Sequence, residues 1–182
     1  MSNTVSYTAH IDTFAADHLP PPELQPEFLF ELPALQFPER LNCAVELLDK
    51  HVREGRGERL CIQAECVRWT YSELQEKANR IANVLVQQGL VPGNRVLLCA
   101  PNNPMMVASW FGVMKAGGVA VAAMPLLRAK ELSTIVDIAQ ISHALCDEAL
   151  RTEVLGAKDK CAVLQHVLFF NSHDAANALE PL

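Results

Sequence analysis

The sequence predicts an α/β fold: a layered, mainly parallel sheet with flanking helices, plus a small antiparallel hairpin. Three observations carry this prediction. Short, largely apolar runs recur through the second half of the chain as RVLLCA (95–100), VAVAAM (119–124), HALCD (143–147) and HVLFF (166–170), the pattern of strands covered on both faces. Segments of helical period separate these runs, and such alternation implies right-handed crossovers. Ahead of them, RLCIQAECVRWTY reads as two strands joined by a tight turn near Ala64 and Glu65.

Taken in order, residues 1–40 form a proline-rich extended arm, since HLPPPELQPEF and LPALQFPER deny both helix and central strand. From Leu41 to the end, residues 41–182 form the α/β unit. NCAVELLDKHVREG is a helix capped by Asn42, with Val45, Leu48 and Val52 on one face and Gly55 as its stop. SELQ reads as a capping box, with Ser72 accepting from the Gln75 amide. The helix that follows carries a stripe of Leu74, Ala78, Ile81, Ala82, Leu85 and Val86, and Gly89 and Pro92 end it. After RVLLCA, Asn102 or Asn103 caps a helix with Pro104 at its first position that runs to Gly117. ELSTIVDIAQ and EALRTEVLGAKDK supply the later crossovers.

Composition bounds the function. The chain has 182 residues, half of them hydrophobic, which suits one domain with a substantial core. A formal charge of −6 argues against nucleic acid as a partner. Neither a basic-then-apolar leader nor an apolar run long enough to span a bilayer is present, so no membrane partner is expected and a cytoplasmic location is. Six scattered cysteines without a C-x-x-C read as buried free thiols.

The glycine pair in KAGGVAVAAMP follows a helix and precedes a strand, at the sheet edge where helix carboxyl termini gather. A phosphate is repelled there, so Gly117 is a helix cap and Gly118 eases the turn. Ligands of open α/β sheets lie at the opposite edge, made here by the turns 100–104, 124–129 and 146–149. Arg128 is the cation of those turns. None of them holds G-x-x-x-x-G-K-[ST] or G-x-G-x-x-G, and His10, His18, His51, His143, His166 and His173 match no metal-ligand spacing. Asp147 and Glu148 are explained by the dipole of the helix they open. The residues alone describe an α/β domain without an active site, leaving a Rossmann-like nucleotide-binding domain or a non-catalytic interaction domain as alternatives.

WTYSEL, GLVPGNRVLLCAPNNP and WFGVMKAGGVAVAAMPLLRAKEL, in this order and spacing, resemble the adenylate-forming superfamily of acyl- and aryl-CoA synthetases, peptide-synthetase adenylation domains and luciferases. The arm AHIDTFAADHLPPPELQPEF, PERLNCAVELLD and NNPMMVASWFGVMKAGG are most similar to the branch that activates 2-aminobenzoate and benzoate. The resemblance implies a parent enzyme that uses ATP, Mg²⁺ and CoA on an aromatic carboxylate. It also implies that the phosphate loop, the adenine and ribose contacts and the catalytic lysine follow Leu182. No adenylation residue therefore carries over, and this stretch alone is expected to be inactive and to bind no cofactor tightly. Its partners would be the remainder of the same polypeptide and a second copy of itself. Some relatives place a basic residue just after the proline matching Pro125 to meet the nucleotide end of CoA. Here Leu126 stands there and Arg128 follows, so the resemblance offers Arg128 as the CoA contact.

Overall fold

The computed structural model describes residues 9–172 apart from Phe28 and Glu39, together with Leu179. Phe28 and His173 lie outside the described residues. Four strands, β3 (Arg95–Cys99), β4 (Val119–Ala123), β5 (His143–Asp147) and β6 (His166–Phe170), form a parallel sheet in the order β4-β3-β5-β6. The strands β1 (Leu60–Gln63) and β2 (Arg68–Thr70) make the antiparallel hairpin, closed where Ala64 and Val67 exchange backbone hydrogen bonds.

Side-chain alternation divides the core in two. Val96, Leu98, Leu145, Leu168 and Phe170 face α2 (Tyr71–Gln87) and α3 (Pro104–Lys115). Their neighbours Leu97, Cys99, Ala144, Cys146, Val167 and Phe169 face α4 (Ala129–Ala139) and α5 (Arg151–Lys158). Helices on both faces explain why β3 and β5 read as buried at every position.

Three local expectations are corrected. The cap of α2 is Thr70, two residues before Ser72: its hydroxyl accepts from the Glu73 amide (3.2 Å) while Glu73 accepts from the Thr70 amide (2.7 Å). TYSELQ contains both T-x-x-E and S-x-x-Q, and the Ser72 amide is already spent on the Gly57 carbonyl. Val86 is exposed, one step round the helix from buried Leu85. The strand β4, at one edge of the sheet, is half-buried with Ala122 exposed, whereas β6 at the other edge is buried from Val167 to Phe170; small apolar residues do not announce that difference.

Asn42 caps the first long helix as expected, accepting from the Ala44 amide (3.0 Å) and donating to the Met114 carbonyl (2.9 Å). That helix is wide, with π-type turns at Val45–Asp49 and Val52–Arg56, and it stops at Gly55 with φ +78°. The arm contains one helical turn, α1 (Phe14–Asp17), and tight turns at Pro22–Leu24 and Pro33–Leu35. It leaves Leu19, Leu24, Leu29 and Leu32 exposed, while its start lies against the domain at Pro92 and Arg95. Cys99, Cys146 and Cys161 are buried as expected, but Cys43 and Cys66 are exposed. The Cys146 thiol is pushed far up by its hydrogen bond to Cys99 and by burial, which makes it an unreactive core group.

His143 opens β5 at 3% exposure, with Nδ1 2.8 Å from Ser142 Oγ, Nε2 3.3 Å from the Gln88 carbonyl, and its ring stacked on His166 at 4.7 Å. Burial pushes its pKa below the ordinary value against the upward pull of the Gln88 carbonyl, and His166 adds to the depression. As pH falls from about 6.5 the unfolded imidazole takes a proton first, so stability is lost from there down to the folded value and then levels. Urea melts at pH 7.5 and 5.5 should show a lower midpoint at 5.5. The drop should shrink in His143→Gln; an equal drop in the variant assigns it to other groups.

Candidate functional site

The two edges of the sheet do different work. At the amino edge, α3 ends at Gly117, whose φ of +78° admits glycine and whose carbonyl accepts from the Gly93 amide (2.8 Å). A Cβ there would stand 3.0 Å from Pro92 Cβ, and one on Gly118 would stand 3.0 Å from Val113 Cγ1. The preceding Lys115 is nearly buried, pairs with Asp49 at 2.6 Å and donates to Asn79, while Gln75 donates to the same Asp49 oxygen (2.9 Å). KAGG is therefore a clamp between the first long helix, α2 and α3.

At the carboxyl edge, the chain leaves β3 toward β4 on one side and leaves β5 toward β6 on the other. The crevice between β3 and β5 is thus the topological switch point, where open α/β sheets bind ligands. The structure fills it with a polar network of its own. Asn103 caps α3 by accepting from the Met106 amide (2.9 Å) and donates to Asp147 Oδ2 (2.8 Å). Asn171, at φ +55°, donates to the same oxygen (2.7 Å), and Asp147 Oδ1 accepts from the Ala149 amide (3.0 Å). Asp147 is buried. Asn103, read from sequence as a candidate cap, and Asp147, read as an acid opening a helix, are brought together with Asn171, which the sequence did not single out, as a tie between the ends of β3, β5 and β6. Pro104 has no N–H, and the Met106 amide is spent on the cap, so the head of α3 has little left to offer an anion.

Arg128 precedes α4 at the same edge with its side chain 75% exposed. Its guanidinium donates to Glu153 Oε1 (3.1 Å), its amide donates to Glu131 (3.1 Å), and Glu153 also accepts from the Ala129 amide (2.8 Å). The Ala129 amide first, and then Arg128, hold the Glu153 carboxyl below its ordinary range in spite of partial desolvation. Arg128 is thus placed on the surface, tied to α5, and outside the Asp147 network. Among the described residues no group of three or more His, Cys, Asp or Glu could hold a metal ion, and no helix is long and apolar enough to cross a membrane.

The motifs gave no notice of an apolar groove of about 730 Å³ between the first long helix, the hairpin and α3. Cys43, Leu47, Ile62, Met106, Val107 and Trp110 form its walls, and Gln63 and Asn102 stand at its rim. The signal was present in MMVASWFGVM, which is apolar around the whole helix and so calls for cover on both sides.

With this geometry in hand, the chain belongs to the AMP-binding enzyme family, whose model matches residues 48–181. It is 29% identical over 124 residues to the benzoate–CoA ligase of Thauera aromatica, covering 68% of this chain and 22% of that protein. It is 32% identical over 111 residues to a dimodular nonribosomal peptide synthase of Bacillus subtilis, covering 61% of this chain and 4% of that protein. The crystal structure of the anthranilate CoA ligase AuaEII in complex with anthranoyl-AMP has the same fold, with a TM-score of 0.71 over 76% of this chain and 27% of that one at 22% identity. The chain thus spans about a quarter of the CoA-ligase relatives.

Proposed function

We propose that residues 1–182 are the opening section of an ATP-dependent aryl-CoA ligase that joins benzoate or 2-aminobenzoate to AMP with loss of pyrophosphate and then replaces AMP with CoA sulfur. The observation that carries this reading is the family match over residues 48–181, together with similarity to a benzoate–CoA ligase and a fold shared with an anthranilate CoA ligase. In this reading the arm (1–40) and the α/β unit (41–182) are distinct, the protein is cytoplasmic, and Mg²⁺ and the phosphate-binding lysines act from sequence beyond Leu182. This section contributes the clamped KAGG turn and the Asp147 tie, which hold the sheet's ends rigid.

The chain as given should form no aryl-CoA above a no-protein control when supplied with ATP, Mg²⁺, CoA and either acid. The longer product of the same reading frame should form it and release pyrophosphate. Aryl-CoA from residues 1–182 alone would overturn the assignment of the chemistry to later sequence, and a longer product inactive on both acids would overturn the substrate class. Arg128 is the residue we assign to the nucleotide end of CoA, supported by its exposure at the carboxyl edge. Arg128→Glu in the longer product should raise the KM for CoA and leave that for ATP unchanged. Amino-acid adenylation is a second reading, favoured by the synthase relative at 32% identity; amino-acid-dependent pyrophosphate exchange without aryl-CoA would select it. The family match leaves the Rossmann-like and interaction-domain readings without support.

A further inference from the structure

Six cysteines are spread along the chain, and the fold brings two of them face to face. Cys99 ends β3, and Cys146 lies one residue short of the end of β5. The parallel register makes them direct partners across the two central strands. Both side chains belong to the core on the α4 and α5 side of the sheet, both are buried, and they are hydrogen-bonded to each other. The other thiols are occupied elsewhere. Cys61 donates to the Trp69 carbonyl (3.3 Å), Cys161 donates to the Ser133 carbonyl (3.4 Å), and Cys43 and Cys66 are exposed.

The register suits a covalent bond. Neighbouring strands lie about 4.7–4.9 Å apart, so partners in register have their Cα atoms near that spacing. A disulfide joins Cα atoms about 4.4–6.8 Å apart, and β3 and β5 already stand within that range. Cys99 is also one strand from the sheet's edge, beside Ala123 of β4, so a small oxidant has a short way in.

We infer that Cys99 and Cys146 form an oxidation site, which closes to a reversible cross-strand disulfide when the chain meets a hydroperoxide. The two thiols have different parts. The hydrogen bond from Cys146 holds the Cys99 thiol below its ordinary value, against burial and the Asp147 charge, which push it up. Cys99 is therefore the sulfur that reacts first. It attacks one peroxide oxygen, the O–O bond breaks, and the other oxygen leaves with the Cys99 proton as an alcohol, or as water from hydrogen peroxide. Cys99 is then a sulfenic acid. Cys146, inert alone because it keeps its proton, gives that proton to the sulfenic oxygen as the S–S bond forms and water departs. The two thiols together lose two electrons, and the peroxide gains them. A thiol reductant reverses the bond by exchange.

The test uses the 182-residue chain with the exposed thiols removed by Cys43→Ser and Cys66→Ser, which prevents exchange between molecules. The reduced, folded chain is treated with hydrogen peroxide, catalase then destroys the excess, and free thiols are alkylated in denaturant. Trypsin separates the two cysteines into peptides 96–115 and 131–151. Mass spectrometry should find these peptides joined, lighter than their sum by two hydrogens, and parted by dithiothreitol. Exposed Met124 should be oxidised in the same sample, which shows that the peroxide acted. Cys99→Ala should leave Cys146 fully alkylated, with circular dichroism checking its fold; the mapping itself needs no substitution in the core. The joined chain should also unfold at a higher urea concentration than the reduced one, because the bond restricts the unfolded loop between 99 and 146. Alkylated Cys99 and Cys146 beside oxidised Met124 overturn the inference. So does either cysteine joined to Cys61 or Cys161, or a joined pair that forms no faster in the folded chain than in urea. A lower urea midpoint for the joined chain overturns the fit of the register to the bond.

Discussion

Replacing Arg95 with methionine should destabilise the chain by about 3 kcal/mol, near the lower end of what breaking a buried ion pair costs. Methionine keeps most of the apolar stem and removes only the guanidinium. That guanidinium donates to the carbonyls of Ala139 (2.8 Å), Gln140 (2.9 Å) and Gly93 (3.1 Å), pairs with Asp12, and lies 4.4 Å over the Phe14 ring. One side chain thus ties the end of α4 and the start of β3 to the arm. Asp12 is less enclosed than Arg95, so its carboxylate can rehydrate, and we take the lower figure for that reason. Burial pushes the Asp12 carboxyl up, but the Phe14 amide, Arg95 and Asn94 outweigh it and hold the group below its ordinary value. The stabilisation is therefore present above the ordinary carboxylate range and is lost as pH falls through the folded value.

Asp12→Asn keeps an acceptor and should cost about 1 kcal/mol, the size of an ordinary hydrogen bond. Urea denaturation separates the two roles. If Arg95→Met costs no more than Asp12→Asn, the three carbonyls are not held by the guanidinium in any energetic sense. Proteolysis should cut residues 13–40 faster in both variants, since both free the arm.

What the sequence disclosed and what it hid follow one rule, the distance along the chain over which the signal acts. The strands were legible because RVLLCA and HVLFF state their two-sided burial in consecutive residues. The KAGG turn was legible because the order helix, glycine, strand assigns it an edge without any tertiary knowledge. Thr70 was missed because two capping boxes overlap in six residues, and the hydrogen bond from Ser72 to Gly57 decides between them. Arg95 and Asp12 stand 83 positions apart, and Asn103 and Asp147 stand 44 apart. No local pattern announces those partners. A charged residue opening an apolar strand does announce that some partner exists.

The second large effect concerns the seam between α2 and α3. Gly112→Val should cost about 3 kcal/mol, the upper part of the range for forcing carbon into a packed core. Gly112 is buried in mid-helix, where glycine is unfavourable by about 1 kcal/mol relative to alanine, so its presence there needs a packing reason. The reason is distance. A Cβ at Gly112 would stand 2.6 Å from Ile81 Cγ2, 2.7 Å from Ile81 Cβ and 3.2 Å from the Ala78 carbonyl. Ile81 is buried on α2, and a β-branched side chain in a helix has one strongly preferred rotamer, so it cannot turn aside. The helices must separate instead, and α3 carries Asn103 at its head, so Asp147 loses alignment with it. Gly112→Ala should cost less, about 1 kcal/mol, because the gain in helix propensity offsets part of the clash. A double-mutant cycle decides whether Ile81 is the obstacle. Ile81→Ala alone should cost about 3 kcal/mol through its cavity. Combined with Gly112→Ala, the loss should fall short of the sum by about 1 kcal/mol, since the new methyl enters the space vacated. Additive losses would mean that the Cβ at position 81, which alanine keeps, and the Ala78 backbone set how closely the two helices approach, and not the outer branches of Ile81.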